Sequence, residues 1–472
     1  MKKMNYIYFL LIGLCWGCAD FLEESSQDLM IPKSVKDYKE FLYGEAINNT
    51  LAVNGYLDVM TDDVDELVNL KAMLANDWRE PTWGYYTWQA YPEIGITNEM
   101  RADNAWETYY HRILVTNVIL DQISDMTGSR EEKDDLSGEC YFIRAYSYFM
   151  LANLYGKPYI DKETAKTDFC VPINDEVSVS NNMYARSSVA QVYARMGTDI
   201  ETAIRYFKAA GIQKTIFRPN LAAAYLLASR IALFQKDYKG TIAYADSVLK
   251  NTDAVLCDLN TYSKSEYFFS SLNPELLYTF GNIDSNNEPF RESTMYVGLL
   301  IPSSALKKLY IGGDLRLDKY YAGGSKSKPG KWSSETNVFA NAFRLSEVYL
   351  NRAEAYAELG ESGKAIDDIN LLRNYRFSKS SPVSAANAKD AIAKVRDERR
   401  VELAFEGFRW FDLRRWDRPR IEHRYSSKKD PNAYDIYVLE ENSISYTLPI
   451  PKKERDLNTV IERIGRPESV KK

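Results

Sequence analysis

The spacing of bulky and small residues constrains the fold of this 472-residue chain more than any other feature. In two stretches, residues 102–126 and 138–156, such side chains recur every three or four positions, which places them on one face of a helix. The first face carries Trp106, Tyr110, Ile113, Asn117 and Leu120, and the second carries Tyr141, Ala145, Tyr148, Ala152 and Tyr155. Small residues between large ones let neighbouring helices pack closely. The pattern predicts a protein that is mainly all-α.

Further signals mark where helices begin and end. Ser34 and Asp37 have the spacing of a capping box, which predicts a helix from Val35 to about Asn48. Gly156, followed closely by a proline, predicts the end of the second aromatic-rich helix. More helices are predicted over residues 187–210, 219–235, 238–250, 342–359, 362–376 and 387–406.

Residues 351–370 have the small–aromatic–glycine–alanine spacing of a tetratricopeptide hairpin, with Ala353, Tyr356, Gly360 and Ala365 at those positions. A weaker copy runs over residues 229–245. Helical periodicity breaks over residues 251–341, where glycine pairs and scattered Ser and Asn indicate turns, and again over residues 423–446. These signals predict tetratricopeptide-like helix pairs with a long loop-rich insertion in the second half.

The N-terminus has the features of a targeting segment. Lys2 and Lys3 precede a short apolar stretch that ends at Gly17-Cys18, a pattern similar to a bacterial lipobox. Cys15 is a rival, but the residue before it is a bulky leucine. We therefore predict a signal peptide over residues 1–17, lipidation of Cys18 and an acidic tether over residues 18–33. No other segment approaches the length of a membrane span, so the membrane is contacted through the lipid alone.

Composition and motifs exclude several classes of function. The formal net charge is -6 and no long basic run occurs, which disfavours nucleic acid as a partner. The sequence has two histidines and no HExxH, GxSxG or P-loop pattern, so neither an enzyme active site nor a cofactor is predicted. Spacing for an EF-hand is missing, and whether calcium binds stays open. The three cysteines of the mature chain, Cys140, Cys170 and Cys257, do not suggest a disulfide framework.

Several segments together resemble the SusD/RagB family, in that family's order. They are residues 106–117 (WETYYHRILVTN), 144–158 (RAYSYFMLANLYGKP), 193–203, 352–356 (RAEAY), 398–416 (ERRVELAFEGFRWFDLRRW) and 448–458 (LPIPKKERDLN). The resemblance implies that residues 34–472 form a single SusD-like domain built on tetratricopeptide-type helix pairs. It also implies a surface-exposed outer-membrane lipoprotein that caps a SusC-like TonB-dependent transporter.

The segment 398–416 alternates arginines and carboxylates with aromatic residues. Such side chains can form a rigid buried or half-buried ion-pair network. Because acids nearly balance bases here, a structural network is favoured over an anion site or a nucleic-acid contact.

Two groups of residues are candidates for ligand contact. Residues 76–91 concentrate Trp and Tyr around Pro81 and Gly84, which break the helical period and predict a loop. The candidates in this loop are Asn76, Trp78, Arg79, Trp83, Tyr85 and Tyr86, whereas Trp88 is expected to be structural. A second candidate loop contains Tyr321 and Trp332. Sugar rings stack on flat aromatic side chains beside a few polar groups, so we expect exposed aromatic platforms here.

The leading hypothesis is a glycan- or oligosaccharide-binding lipoprotein of a nutrient-uptake system. A protein of the same family that binds peptides or another nutrient is an alternative, and a tetratricopeptide-type scaffold that binds only proteins is another. The sequence does not identify the sugar, its linkage or its affinity.

Overall fold

A computed structural model describes residues 32–48, 56–68, 79–100, 103–263, 268–282, 299–323, 326, 328–331, 339–426, 430, 432–467 and 470–471. Helices dominate these residues, as predicted. In chain order they are α1 (Val35–Leu42), α2 (Trp83–Tyr86), α3 (Ala105–Gln122), α4 (Arg130–Tyr155), α5 (Val189–Ala210), α6 (Leu221–Phe234), α7 (Tyr238–Lys250), α8 (Ser304–Lys307), α9 (Arg316–Lys319), α10 (Leu345–Glu358), α11 (Ser362–Asn374), α12 (Ala388–Glu402), α13 (Phe408–Arg415) and α14 (Lys452–Leu457).

The first predicted helix begins where its capping box placed it. The Ser34 side chain accepts a hydrogen bond from the Asp37 backbone N–H, and the Asp37 carboxylate accepts one from the Ser34 backbone in return. The α-helical part ends at Leu42, and a π-helical turn over Tyr43–Ile47 completes the predicted length. Thr127 donates its backbone N–H to the carbonyl oxygen of Lys33 at 3.0 Å, so the start of α1 lies beside the end of α3.

The second aromatic-rich helix, α4, begins at Arg130, well before the predicted residue 138. Its start is a second capping box, formed by Ser129 and Glu132, which the aromatic pattern does not include. The helix ends at Tyr155, as predicted. A side chain at Gly156 would place Cβ 2.6 Å from the sulfur of Cys170, so close packing requires glycine there.

Both predicted helix pairs are present. The α10–α11 hairpin turns at Gly360, whose φ of +81° is in the region that favours glycine. Ala353 and Ala365 are fully buried between its helices, where their small side chains allow close approach. In the α6–α7 pair, the Ser229 hydroxyl donates to the carbonyl oxygen of Thr241 at 3.1 Å. The fold is therefore built on tetratricopeptide-type pairs, as the sequence predicted.

Short antiparallel strands interrupt the helical frame. They are β1 (Val64–Glu66), β2 (Leu276–Asn282), β3 (Leu300–Pro302), β4 (Tyr321–Ala322), β5 (Lys328–Pro329), β6 (Phe339–Arg344), β7 (Ile421–Ser426), β8 (Tyr434–Leu439) and β9 (Val470–Lys471). β1 pairs with β3, β2 with β6, β4 with β5, and β8 lies between β7 and β9. The prediction that residues 423–446 are irregular is wrong, because β7 and β8 pair continuously from Ile421–Leu439 to Ser426–Tyr434.

The first half of the chain is fastened to the second at the end of α4. The Arg414 guanidinium donates hydrogen bonds to the carbonyl oxygens of Asn153, Gly156 and Tyr446. The last carbonyl groups of a helix have no hydrogen-bond donor within the helix, and the Arg414 side chain donates to such groups at the end of α4. Burial lowers the pKa of Arg414 to about 10, so the group stays cationic at neutral pH.

Candidate functional site

The predicted ligand-contact residues differ in whether the structure describes them and in how far they are buried. Asn76, Trp78 and Trp332 lie outside the described residues. Arg79, Tyr85, Tyr86 and Tyr321 are buried. Trp83 is half-buried. The expectation of an exposed aromatic platform is therefore wrong for the buried group, and contact with a ligand stays a prediction for Trp83 and for the residues outside the described ranges.

Arg79 is held inside the protein. Its side chain is 1% exposed, pairs with the Glu66 carboxylate and donates to the carbonyl oxygen of Ser426 at 3.3 Å. Its guanidinium also lies 4.4 Å from the centre of the Tyr425 ring. A guanidinium with these partners fixes the neighbouring backbone and is not available to a sugar hydroxyl.

Tyr85 and Tyr86 face inward because the segment after Arg79 packs against the β7–β8 sheet. The Tyr86 hydroxyl donates to the carbonyl oxygen of Arg424 at 3.0 Å, and its ring stacks on His423 with 4.2 Å between ring centres. Tyr85 stacks on Tyr56 at 4.1 Å. The segment forms the short helix α2 and not an open loop, and one turn of helix directs both rings into the core.

Trp88 is structural, as predicted. It is 1% exposed, and its indole N–H donates to the carbonyl oxygen of Met60 at 3.0 Å. Trp83 differs from it. Its ring meets Tyr437 edge to face at 6.2 Å, and its indole N–H has no acceptor among the described residues. Of the predicted rings that the structure describes, Trp83 alone keeps part of its surface exposed.

Tyr321 of the second candidate loop is part of the core. It is 2% exposed, and its hydroxyl lies 2.7 Å from the hydroxyl of Tyr310, which donates to the carbonyl oxygen of Val401 at 3.0 Å. Pairing of β4 with β5 turns this ring inward, toward α12. Tyr321 can hold the end of β5 in place, three residues before Trp332. Its ring is buried and has no surface that a ligand could contact.

Each strand that leads to a candidate loop is hydrogen-bonded to its partner strand up to the end nearest the loop. Leu67, just after β1, donates its backbone N–H to the carbonyl oxygen of Leu299, just before β3, at 2.9 Å. Asn282, the last residue of β2, pairs with Phe339, the first of β6. Phe269 donates to the carbonyl oxygen of Lys331 at 2.8 Å. These described residues flank the segments that contain Asn76, Trp78 and Trp332.

A buried ion network contacts Lys331 and the far end of the β2–β6 pair, and its centre is Glu402 at the end of α12. Its carboxylate accepts hydrogen bonds from Arg344 at 2.6 Å, Arg376 at 2.9 Å and Arg316 at 3.2 Å, and all four side chains are at most 1% exposed. Burial alone raises the pKa of Glu402, but the three guanidinium charges outweigh it and hold the pKa well below its usual range.

The same network connects directly to the strands. Arg344, the last residue of β6, also pairs with Glu275, just before β2, at 3.2 Å. Lys331, just after β5, donates to the carbonyl oxygen of Glu402 at 2.7 Å and to the carboxylate of Glu406 at 2.5 Å. The network therefore fixes Lys331, the residue that precedes Trp332.

A second cluster joins the remaining charges of residues 398–416 to the helices. The Glu354 carboxylate binds Arg415 and accepts the Trp416 indole N–H at 2.8 Å. Burial raises the pKa of Glu354, yet Arg415 more than compensates, and the pKa falls to about 2. Arg399 donates to Asp412 at 2.8 Å. The prediction of a buried network from these residues is confirmed.

Two family models match the sequence. One, described as starch-binding associating with outer membrane, matches residues 20–233, and the other, described as the SusD family, matches residues 313–465. This chain belongs to the SusD/RagB family. SusD-like protein P25 from Formosa agariphila is 24% identical over 98% of both chains, and SusD-like protein P2 from the same organism is 22% identical over 96% of this chain and 97% of that one.

Solved structures share the fold. A putative sugar binding protein from Bacteroides vulgatus superposes with a TM-score of 0.73 at 22% identity, covering 94% of this chain and 100% of that one. A SusD superfamily protein from Bacteroides thetaiotaomicron superposes with a TM-score of 0.70 at 23% identity, covering 91% of this chain and 99% of that one. These likenesses confirm the fold that the resemblance implied.

Sequence reasoning missed one exposed aromatic residue near the site of this SusD-family protein. Tyr434, the first residue of β8, is 50% exposed, and the Arg424 guanidinium lies 3.8 Å from the centre of its ring. The alternation of inward and outward residues in residues 421–425, followed by turn residues, is the signal that would have indicated this hairpin.

The part of the chain that the structure describes can also be compared with the requirements of metal sites, disulfides and membrane spans. There, no group of three His, Cys, Asp or Glu side chains could hold a metal ion. Cys140, Cys170 and Cys257 are free and buried. Among the described helices, none is long and apolar enough to cross a bilayer.

Proposed function

We propose that this SusD-family protein is a cell-surface lipoprotein that captures an oligosaccharide and delivers it to a SusC-like TonB-dependent transporter of the outer membrane. The observation that carries the proposal is that the buried Glu402 network holds Lys331, the residue before Trp332. Residues 69–78, with Asn76 and Trp78, follow β1, and residues 332–338, with Trp332, precede β6. A rigid scaffold that positions loops is the usual setting for a binding site.

Aromatic residues near these strand ends suit a sugar ligand. Sugar rings need a flat apolar surface with a few hydrogen-bonding groups at its rim. Trp83 keeps part of its ring exposed, and Tyr434 exposes half of its surface beside Arg424. We assign these two residues to the rim of the site, with Trp78, Trp332 and Asn76 as its main contacts.

The carboxylates at these strand ends favour binding over catalysis. Glu402 and Glu406 pair with arginine or lysine, and Glu66 pairs with Arg79 while accepting the Ser426 backbone N–H at 2.8 Å. A glycosidase needs one carboxyl group poised to donate a proton and another free to attack or activate water. Carboxylates paired in this way are not free for either role, so we propose binding of the ligand without cleavage.

The proposal also includes lipidation at Cys18, which would hold the protein at the membrane surface. Residues 1–31 lie outside the described residues, and α1 begins soon afterwards, at Val35. Labelling cells with a clickable fatty acid should mark the wild-type protein and not Cys18→Ala. A wild-type protein without label would remove the lipid from the proposal.

Ligand binding is tested by an oligosaccharide array, followed by calorimetry on the best ligand. We expect Trp78→Ala and Trp332→Ala each to weaken binding by at least about tenfold, because one stacked ring supplies on the order of 1–3 kcal/mol. Tyr91→Ala is the matched control, since Tyr91 is 49% exposed and its ring meets Arg455 of α14. Equal affinities for all three variants and the wild type would contradict the site.

A parallel peptide array separates the sugar proposal from the peptide alternative. Extraction in mild detergent and capture on a tagged copy of the chain tests the partner. Recovery of a TonB-dependent transporter supports delivery, and recovery of the lipoprotein alone, under conditions that preserve other such pairs, contradicts it. A permanent pair should bury more than the roughly 1,600 Å² of a standard interface.

A further inference from the structure

Two exposed side chains of the β7–β8 hairpin are stacked on each other. The Arg424 guanidinium lies 3.8 Å from the centre of the Tyr434 ring. Both side chains lie on the same face of the hairpin, since Tyr434 pairs with Ser426, two residues after Arg424. The Arg424 side chain is 40% exposed, and Tyr434 is 50% exposed. We call Arg424 and Tyr434 the hairpin pair.

The hairpin pair lies beside both ends of residues 67–78, the segment that contains two of the proposed ligand contacts. Glu66 precedes this segment, Arg79 follows it, and their side chains form an ion pair. The Ser426 hydroxyl donates to the Glu66 carboxylate at 2.6 Å, and the Ser426 carbonyl oxygen accepts from Arg79 at 3.3 Å. Arg424 Nε donates to the same Ser426 hydroxyl at 3.2 Å. The segment therefore begins and ends next to Arg424.

The carboxylates on this side of the hairpin have arginine partners other than Arg424. Glu66 binds the buried Arg79, and Glu422, on the same face as Arg424, binds Arg420. Arg424 Nε lies 3.4 Å from the Glu66 carboxylate, which is longer than a charge-assisted hydrogen bond of about 2.7–2.9 Å. The Glu66 carboxylate therefore faces two guanidinium groups and forms the closer contact with Arg79.

We propose that the oligosaccharide is acidic, carrying uronate carboxylates or sulfate esters, and that Arg424 binds one of these groups. The planar fork of a guanidinium matches the oxygen atoms of such groups in two parallel hydrogen bonds. A guanidinium that already rests on an aromatic ring loses little further freedom when it binds. Tyr434 is thus a positioning residue for Arg424.

This inference rests on the proposed function and adds the chemical class of the sugar to the same site. A ligand that reaches from residues 67–78 to the hairpin meets Arg424 at the point where the segment begins and ends. Carboxylates and sulfates share the oxyanion that Arg424 would bind, and the experiment below distinguishes them.

Paired ligands of identical backbone test the inference by calorimetry on the full chain. A uronate oligosaccharide is compared with its carboxyl-reduced form, and a sulfated oligosaccharide with its desulfated form. In at least one of the two comparisons we expect the acidic member to bind at least about tenfold more tightly, because a hydrogen bond to a charged group is stronger than one between neutral groups.

Variants at two arginines near β7 locate the effect. Arg424→Gln should remove the preference for the acidic member and leave the affinity for the neutral member unchanged. Arg424→Lys keeps the charge without the planar fork and should retain only part of the preference. Arg420→Gln is the matched control, since Arg420 is 37% exposed and its guanidinium faces Glu422 and Glu440. Melting temperatures of all variants show whether each remains folded.

The outcomes separate this inference from the proposed function. Equal binding of the acidic and neutral members overturns the acidic class and leaves oligosaccharide binding intact. Absence of binding to every oligosaccharide overturns both. A preference that survives in folded Arg424→Gln assigns the acidic group to another cation, and an equal loss in Arg420→Gln assigns it to general surface charge. Either result overturns the role of the hairpin pair.

Discussion

Residues 79–88 and residues 398–416 are both rich in charged and aromatic side chains, and both are largely buried. They differ in how their charges are neutralised. Arg79 takes its partners, Glu66 and the Ser426 carbonyl, from two distant strands. Within residues 398–416, Asp412 pairs with both Arg399 and Arg415. Residues 398–416 therefore contain one ion-pair cluster that is visible in the sequence, although others of their charges, such as Glu402, also pair with distant residues.

The aromatic residues of both segments pack against residues that are distant in the sequence. Trp410 stacks on Tyr446 at 5.1 Å, and Tyr86 stacks on His423 at 4.2 Å, so each segment packs against residues from elsewhere in the chain. Pro81 and Gly84 suggested an exposed loop, but they allow a short helix that turns its rings inward. A cluster of aromatic residues in a sequence therefore does not distinguish a binding surface from a buried core, because burial depends on the residues that pack against the cluster.

The largest effect is expected from Glu402→Gln. Removing this charge leaves Arg316, Arg344 and Arg376 without their common partner in the core, and breaking such a buried pair costs about 3–5 kcal/mol. Chemical denaturation measures the loss. Asp417→Asn is the control, because Asp417 is 77% exposed beside Arg396 and its pair is worth about 0–1 kcal/mol. Equal losses in both variants would contradict a special role for the buried network.

Tyr86→Ala should cost about 3 kcal/mol of unfolding free energy, the usual loss for a large buried aromatic side chain. Its ring packs on His423, and its hydroxyl binds the Arg424 carbonyl oxygen. Tyr91→Ala in the same segment, at an exposed position, should change stability by less than about 0.5 kcal/mol. Thermal and chemical unfolding of both variants would show whether residues 79–88 are as firmly packed as residues 398–416.

Acid should weaken the second segment through Glu354. Its pKa is about 2 in the folded protein and near 4.5 when unpaired, so its stabilising effect is complete above pH 4.5 and disappears as the pH falls through 2. The loss over this range is on the order of 3 kcal/mol. Glu354→Gln should flatten the fall in stability across this range, and an unchanged slope would assign acid sensitivity to other carboxylates.

Trp83→Ala should have the smallest effect on stability, about 1 kcal/mol, because its ring is half-buried and makes one edge contact with Tyr437. If Trp83 belongs to the rim of the sugar site, affinity for the oligosaccharide falls severalfold while the melting temperature changes little. Calorimetry and thermal unfolding on the same preparation separate these results. A lower melting temperature with unchanged affinity would place Trp83 with Tyr86 as a packing residue.

Local signals in the sequence predicted the helices well. The Ser34–Asp37 capping box, the stop at Gly156 and the turn at Gly360 depend on residues close together in the chain, and all are present in the structure. The start of α4 was missed because its capping residues lie before the aromatic stripe. The β7–β8 hairpin was missed because its period of two is short and the surrounding chain is dominated by helical spacing.

The site was less predictable because it depends on long-range contacts. Whether a ring at position 83, 85 or 86 is exposed depends on the β7–β8 sheet, more than 300 residues later in the chain for Tyr86 and Arg424. Burial of Tyr321 depends on its contact with Tyr310 and on α12 behind it. No local pattern contains this information, whereas the structural role of Trp88 was correctly expected.

Arg414 imposes an order of events on a chain that is made from its N-terminus. The carbonyl oxygen of Asn153 at the end of α4 receives its donor from a residue 261 positions later. Until Arg414 has been synthesised, the end of α4 lacks this hydrogen-bond donor, and the contact between the two halves of the chain cannot form. We therefore expect folding to be completed only after the C-terminal part has been made.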